Sequence, residues 1–253
     1  MANETTINGI YTLPSLGKVY KETVSPTVEI RSMTTNEEMK RLNHSDRPNA
    51  SMAGIIDDCL VENPGISAYD MCLADYQFLL HKLRIVTYGS TYTLSSTCPY
   101  CNSINQDKVN LDEFPVQEYN ADEFNKYCSF DLPKTNKHIV LRMQTPRIMD
   151  DVSTKAKDQR RKTPNMTGDP AFLFSLESMI DTIDGNRPDP IKLPEFIRTL
   201  PMMDTNTILS YAQKLTNSFG LETGLTNVCP VCGLDYPSSF RINGEFFRPT
   251  IDI

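Results

Sequence analysis

Cys98-Pro99-Tyr100-Cys101 and Cys229-Pro230-Val231-Cys232 each place two thiols around a two-residue spacer that begins with proline. Two chemistries use such a pair. One thiol held as thiolate can run dithiol–disulfide exchange, and two thiolates on a tight turn supply half of a tetrahedral metal shell. The duplication favours metal. Tetrahedral zinc takes four sulfurs at roughly 2.3 Å, and the two-residue spacer lets backbone amides point at both sulfurs of a knuckle. Four thiolates close the shell against water and substrate, so one structural Zn2+ ion is expected on Cys98, Cys101, Cys229 and Cys232, without catalysis.

The surroundings of the two pairs repeat. Counted from each first cysteine, Val109 matches Phe240 and Leu111 matches Ile242, so each knuckle leads into an alternating strand at the same offset. A redox loop stands at the start of a helix whose dipole stabilises the thiolate. Here "NSINQDKVNLDEF" follows Cys101, with neither helix formers nor a helical stripe. The inner cysteines lie 128 positions apart, against roughly 15 to 20 in a compact ribbon. Loop-closure entropy grows slowly with length, so an ion contributing on the order of 10 kcal/mol tolerates a long insertion. Of the other cysteines, Cys59 and Cys72 sit on apolar helix stripes as core thiols, and Cys128 has no paired partner. His44, His81 and His138 are scattered, with no catalytic triad order, phosphate loop or His-Glu-x-x-His motif.

The elements that must position these cysteines are legible in outline. Residues 1–34 mix Pro14, Gly17 and Pro26 with short alternating runs, the pattern of an extended β arm. Residues 35–90 read as helical, opening on a capping box of Thr35 and Glu38, with a second helix near 49–61. A third begins about Ile66, with Ser67 as cap and Asp70 at the third position, and stops at Gly89. Residues 91–120 with 221–253 form the zinc-ribbon-like module, and 121–220 a mainly helical insertion. Within the insertion "KHIVLRMQT" reads as a strand. Asp169-Pro170 opens one helix and Asp204 caps another that ends at Gly220. The class is α+β: two CxxC knuckles, a long helical insertion and an extended N-terminal arm.

Composition restricts the partners. The 253 residues carry a net charge of -7 and 39% hydrophobic content, enough for a core and without a global field toward phosphate or anionic membranes. Lys155, Lys157, Arg160, Arg161 and Lys162 cluster, but beside Asp150, Asp151 and Asp158 they read as a solvated helix face. No run approaches a membrane span and "MANETTINGI" lacks a secretory pattern, so the chain is expected to stay in the cytosol where it is made. Seven cysteines, an odd count, fit a reducing compartment.

Three stretches, "LPSLGKVY" with "VEIRSMTTNEEMKRLN", then "DYQFLLHKLRIVTYGSTYTLSSTCPYC", then "CPVCG", together resemble the baseplate hub assembly and central hub proteins of T-even-type contractile-tailed phages. The resemblance covers the first 115 residues best, touches the last 30 and leaves about 120–220 unmatched. It implies a non-enzymatic part of the tail baseplate, made in the host cytoplasm and acting in assembly or architecture of the central hub. Its implied partners are other hub and tail proteins, with no small-molecule substrate and no membrane. The residues it carries over are Leu13, Pro14, Ser15 and Gly17 in the arm, Asp75, Leu79, Leu80, Leu83 and Arg84 in the helix, and the four cysteines. Arg84 is expected to meet a neighbouring acid, and the leucines to pack. The competing readings are a zinc-ribbon adaptor binding nucleic acid through Lys155 to Lys162 and a Cys-Pro-Tyr-Cys thiol oxidoreductase.

Overall fold

The computed structural model describes residues 6–240, 242 and 244–247. Strands β1 (Asn8–Thr12) and β2 (Thr27–Arg31) pair antiparallel with Tyr11 opposite Val28. Alternation in "TVEIR" turns Val28 and Ile30 inward, where they join Leu13 and Val24 in the first core. The arm therefore lies on its own chain. Its turn requires Gly17: φ is +70°, and a side chain there would collide with the Val24 carbonyl.

Helix α1 (Thr35–Leu42) does open on a capping box, one residue earlier than the spacing suggested. Thr34 is the cap, and Glu37 accepts from the Thr34 amide at 2.7 Å. Glu37 also takes Arg31 of β2 at 3.0 Å, a tertiary bond that decides which glutamate serves. After α2 (Pro48–Cys59) comes the central helix α3 (Leu73–Tyr88). It starts later than expected: Ser67 accepts the Tyr69 amide at 3.2 Å, but this caps only a short turn, and the helix opens after Cys72. Ser67 donates to Asp57 at 2.6 Å, and Asp70 pairs with Arg147 at 2.5 Å. Gly89 ends the helix at φ +85°.

Two hairpins follow from opposite ends of the remaining chain: β3 (Thr91–Thr97) with β4 (Ile104–Asn110), and far downstream β10 (Gly224–Val228) with β11 (Asp235–Ser239). Between them β5 (Val116–Gln117) pairs with β9 (Gly220–Leu221), so the intervening hundred-odd residues leave and return side by side. That excursion holds α4 (Ala121–Cys128) and the sheet of β6 (Ser129–Asp131), β7 (His138–Leu141) and β8 (Ile180–Ile183). It also holds α5 (Pro146–Lys162), α6 (Pro170–Met179), α7 (Leu193–Thr199) and α8 (Met202–Thr216). Asp169 caps α6 as its sequence predicts, but β-branched Ile180, Thr182 and Ile183 turn the end of that run into β8. Asp204 does not cap α8. It is buried, accepting the Lys134 and Thr135 amides at 2.9 and 3.0 Å, and α8 begins two residues before it.

The result is a mixture of helices with small antiparallel sheets around two main cores. The first gathers α2, α3 and the β1–β2 pair with Leu94, Leu111, Phe114, Phe240, Phe246 and Phe247. Val109 and Ile242 pack on its edge, so the positions that repeat after each knuckle share one core. The second core lies within the excursion, with Ile139, Leu141, Leu176, Ile180 and Ile208 at its centre. Buried Asp150 on α5 ties the two together, accepting from Ala50 at 2.9 Å and from the Asn49 side chain at 2.8 Å. It thereby supplies the side-chain cap that α2 lacks from its own residues. Among the described residues no helix is long and apolar enough to cross a membrane.

Candidate metal centre

Each knuckle is the turn of a hairpin, and the two turns are built alike. Cys98 donates its amide to Ser103 and accepts Asn102; Cys229 donates its amide to Leu234 and accepts Gly233, all at 2.8 to 3.0 Å. The residue after the second cysteine has positive φ in both, 57° at Asn102 and 73° at Gly233. Asparagine and glycine are the residues that take this conformation at least cost, which accounts for their presence.

The turns meet through their sulfurs. Cys98 Sγ lies 3.7 Å from Cys232 Sγ, Cys101 Sγ 3.6 Å from Cys229 Sγ, and all four fall within 4.8 Å of one another. A regular tetrahedron with metal–sulfur bonds of roughly 2.3 Å has edges of about 3.8 Å. A disulfide would need about 2.05 Å. The spacing is compatible with four ligands around one metal ion. Cys98 and Cys229 are buried, while Cys101 and Cys232 reach the surface.

Charge argues the same way. The Ser103 hydroxyl, helped by the Cys232 and Val231 amides, holds the Cys229 thiol down to about 5 against desolvation. For Cys232 the Leu234 amide favours the thiolate, yet desolvation and the three other sulfurs push it up to about 12. Thiolates packed this closely repel one another, and a cation among them would relieve that repulsion.

Polar side chains brace the sulfurs. Ser103 Oγ lies 3.2 Å from both Cys101 and Cys229 Sγ, and Asn105 Nδ2 3.7 Å from Cys229 Sγ. The buried Tyr236 hydroxyl accepts from Asn105 at 2.9 Å and bonds Ser96 at 2.7 Å. Asn227 of β10 donates to Asp107 of β4 at 3.0 Å, joining the hairpins below the sulfurs. The sequence reading missed these residues, although alternation along β4 and β11 marks Asn105 and Tyr236 as inward positions. The first knuckle leads into β4, so no helix dipole favours a reactive thiolate at Cys98 or Cys101.

The other expected site residues lie elsewhere and face inward. Leu13, Pro14 and Ser15 are buried. Ser15 donates its amide and hydroxyl to buried Asp75 at 3.0 and 2.5 Å, and Tyr20 adds a third bond at 2.6 Å. Burial pushes the Asp75 carboxyl up while these donors oppose the shift. Arg84 is 1% exposed and meets no acid among the described residues. It donates to the carbonyls of Phe246 in a short 3-10 turn, of Gly89 at the end of α3 and of Thr91 at the start of β3, which together satisfy its charge. The end of the basic stretch is partly self-neutralised, with Arg160 on Asp169 at 2.7 Å and Arg161 near Asp158.

Comparison with curated proteins and with solved structures returns no match. A protein-family model does match, and its span takes in the arm, both cores and both knuckles. Over residues 6–248 the sequence fits the model of the T4 bacteriophage base plate protein, and the chain belongs to that family.

Proposed function

We propose that this chain is a structural, non-enzymatic component of the central hub of a contractile-tail baseplate, acting in hub assembly or hub architecture, with one zinc ion fixed by Cys98, Cys101, Cys229 and Cys232. Family membership gives the coarser part: a structural baseplate protein of a phage tail, which works against other tail proteins. The observation that supports the metal assignment is the four-sulfur cluster, where one ion would clamp together two hairpins whose inner cysteines lie 128 positions apart. Zinc is the metal we assign because an all-thiolate tetrahedral set with no open position suits a redox-inert structural ion.

Leu13 to Gly17 and Arg84 serve this role indirectly: the arm is pinned on Asp75, and Arg84 ties the start of β3 to the Phe246 turn, so each shapes a surface offered to neighbours. Nucleic acid is the weaker reading, since the knuckles themselves carry no cation. The test is metal analysis of protein purified without added zinc, together with mixing against purified hub subunits. One equivalent of zinc and a co-eluting complex are expected. Metal-free, dithiol-reducible protein would refute the site, and absence from both hub assemblies and virions would refute the placement.

A further inference from the structure

The tips of the two knuckles expose apolar side chains where a structural metal turn could do without them. Tyr100 is 60% exposed, Val231 71%, Ile104 76%, Val228 61% and Leu234 49%. Tyr100 and Val231 occupy the same position in the two quartets, each directly before the second cysteine. Because the sulfurs of the two turns stand 3.6 to 3.7 Å apart, these residues are carried on adjacent turns of one support. Single exposed hydrophobes are ordinary, but Tyr100, Val231 and Leu234 on two adjoining turns, with Ile104 and Val228 at the strand ends that flank them, mark a contact surface.

Charge at the tip selects the kind of partner. No Asp, Glu, Lys or Arg occurs between Arg84 and Asp107, or between Glu222 and Asp235, in a chain where 23% of residues are charged. A nucleic acid would require cations there, and the one charge at the tip, the excess of four thiolates over a divalent ion, is spread over sulfurs of which two are buried, so no charged side chain is offered to a strongly charged protein surface. The complementary partner is an uncharged, apolar protein surface. Two copies of this chain, each at -7, bring a repulsive background to any self-association.

We propose that the paired knuckle tips are a docking surface, with Tyr100 and Val231 at its centre, for an uncharged apolar patch on another tail subunit. This rests on the baseplate reading above. The clamped sulfurs fix the turns before contact, so the partner meets a pre-organised surface and little ordering entropy opposes association. Aromatic anchors such as Tyr100 are the residues that dominate such contacts.

The test compares the full-length zinc-loaded chain with the Tyr100→Ser, Val231→Ser double variant for binding to tail-assembly intermediates isolated from an infection lacking this chain. The variant is expected to bind at least tenfold more weakly, with zinc content and melting temperature unchanged. A Lys157→Ser, Lys162→Ser control, altered far along the sequence from the knuckles, should bind as the parent does. Equal binding by the double variant overturns the proposal. So does an apolar contact made instead with a second copy in sedimentation, or with neutral phosphatidylcholine vesicles, if the same two substitutions abolish it. Failure of the parent chain to bind any intermediate refutes the baseplate placement, and this inference with it. Should the double variant lose zinc, Tyr100→Phe and Val231→Ile, which keep the apolar surface, must retain both metal and binding; loss of binding by this metal-loaded pair also overturns the proposal.

Discussion

Ser103 Oγ stands equidistant, at 3.2 Å, from the sulfurs of Cys101 and Cys229, one from each hairpin. A single hydroxyl thus braces both halves of the cluster. Ser103→Ala should lower zinc affinity about tenfold while leaving four ligands in place. Competition with a colorimetric chelator measures it, and an unchanged affinity would remove Ser103 from the metal's supporting shell.

Loss of a ligand should be far more severe. Cys229→Ser, or chelation of the metal from the parent protein, is expected to lower stability by several kcal/mol out of the order of 10 that a four-cysteine site contributes. Thermal melting with and without chelator reads this directly. Identical melting curves for loaded and stripped protein would mean that the cluster contributes nothing to the fold.

His81 packs between Phe114, Phe240 and Phe246, and neither ring nitrogen finds a hydrogen-bond partner of good geometry. Burial, with Lys82 adding to it, holds its pKa down to about 3, and the Leu111 backbone offsets this only in part. The folded state therefore keeps the ring neutral while the unfolded chain protonates near 6.5, so stability declines as pH falls from about 6.5 towards 3. His81→Phe should remove this slope and gain about 1–2 kcal/mol at pH 5 relative to pH 7.5. Urea denaturation at the two pH values checks it; equal differences for parent and variant would contradict the assignment.

Glu37 behaves in the opposite sense. The Arg31 guanidinium, with Thr34, holds its carboxyl at about 2 against an ordinary 4.5. Its contribution is complete above 4.5 and is lost as pH falls from there to about 2. Glu37→Gln should cost about 1 kcal/mol at pH 6 and progressively less below pH 4. Denaturation midpoints at pH 6, 4 and 3 would show the two curves converging; parallel curves would exclude Glu37 as the source.

Asp75 receives three hydrogen bonds from the arm, two from Ser15 and one from Tyr20. Asp75→Ala leaves those buried donors unpaired and should destabilise by about 2–4 kcal/mol. Hydrogen exchange would place the effect: faster exchange at Leu13 to Tyr20 is expected ahead of α8, and uniform acceleration would argue against a local latch.

How much of this was legible in the sequence depended on whether a feature is local. The knuckles, Gly89 as a helix stop, Asp169-Pro170 as a start and the alternation in β2 and β4 are decided by neighbouring residues, and spacing alone finds them. Side chains that could serve either a local cap or a distant partner were misread. Asp70 and Asp204 have the identity of caps but bind Arg147 and the 134–135 turn, while Ser67 caps only a short turn at Tyr69 and donates to Asp57. Arg84 looked like the partner of an acid because nothing in sequence reveals three converging carbonyls. The shell residues Ser103, Asn105 and Tyr236 became visible only when the two hairpins were brought face to face.

The first core draws on residues from both ends of the chain, and β5 returns to β9 at the mouth of the excursion. A peptide bond cut in the exposed turn at Asp184 to Arg187 would therefore not release either piece. The fragments would stay interlocked, a nicked molecule that migrates as one body in native electrophoresis and as two in detergent.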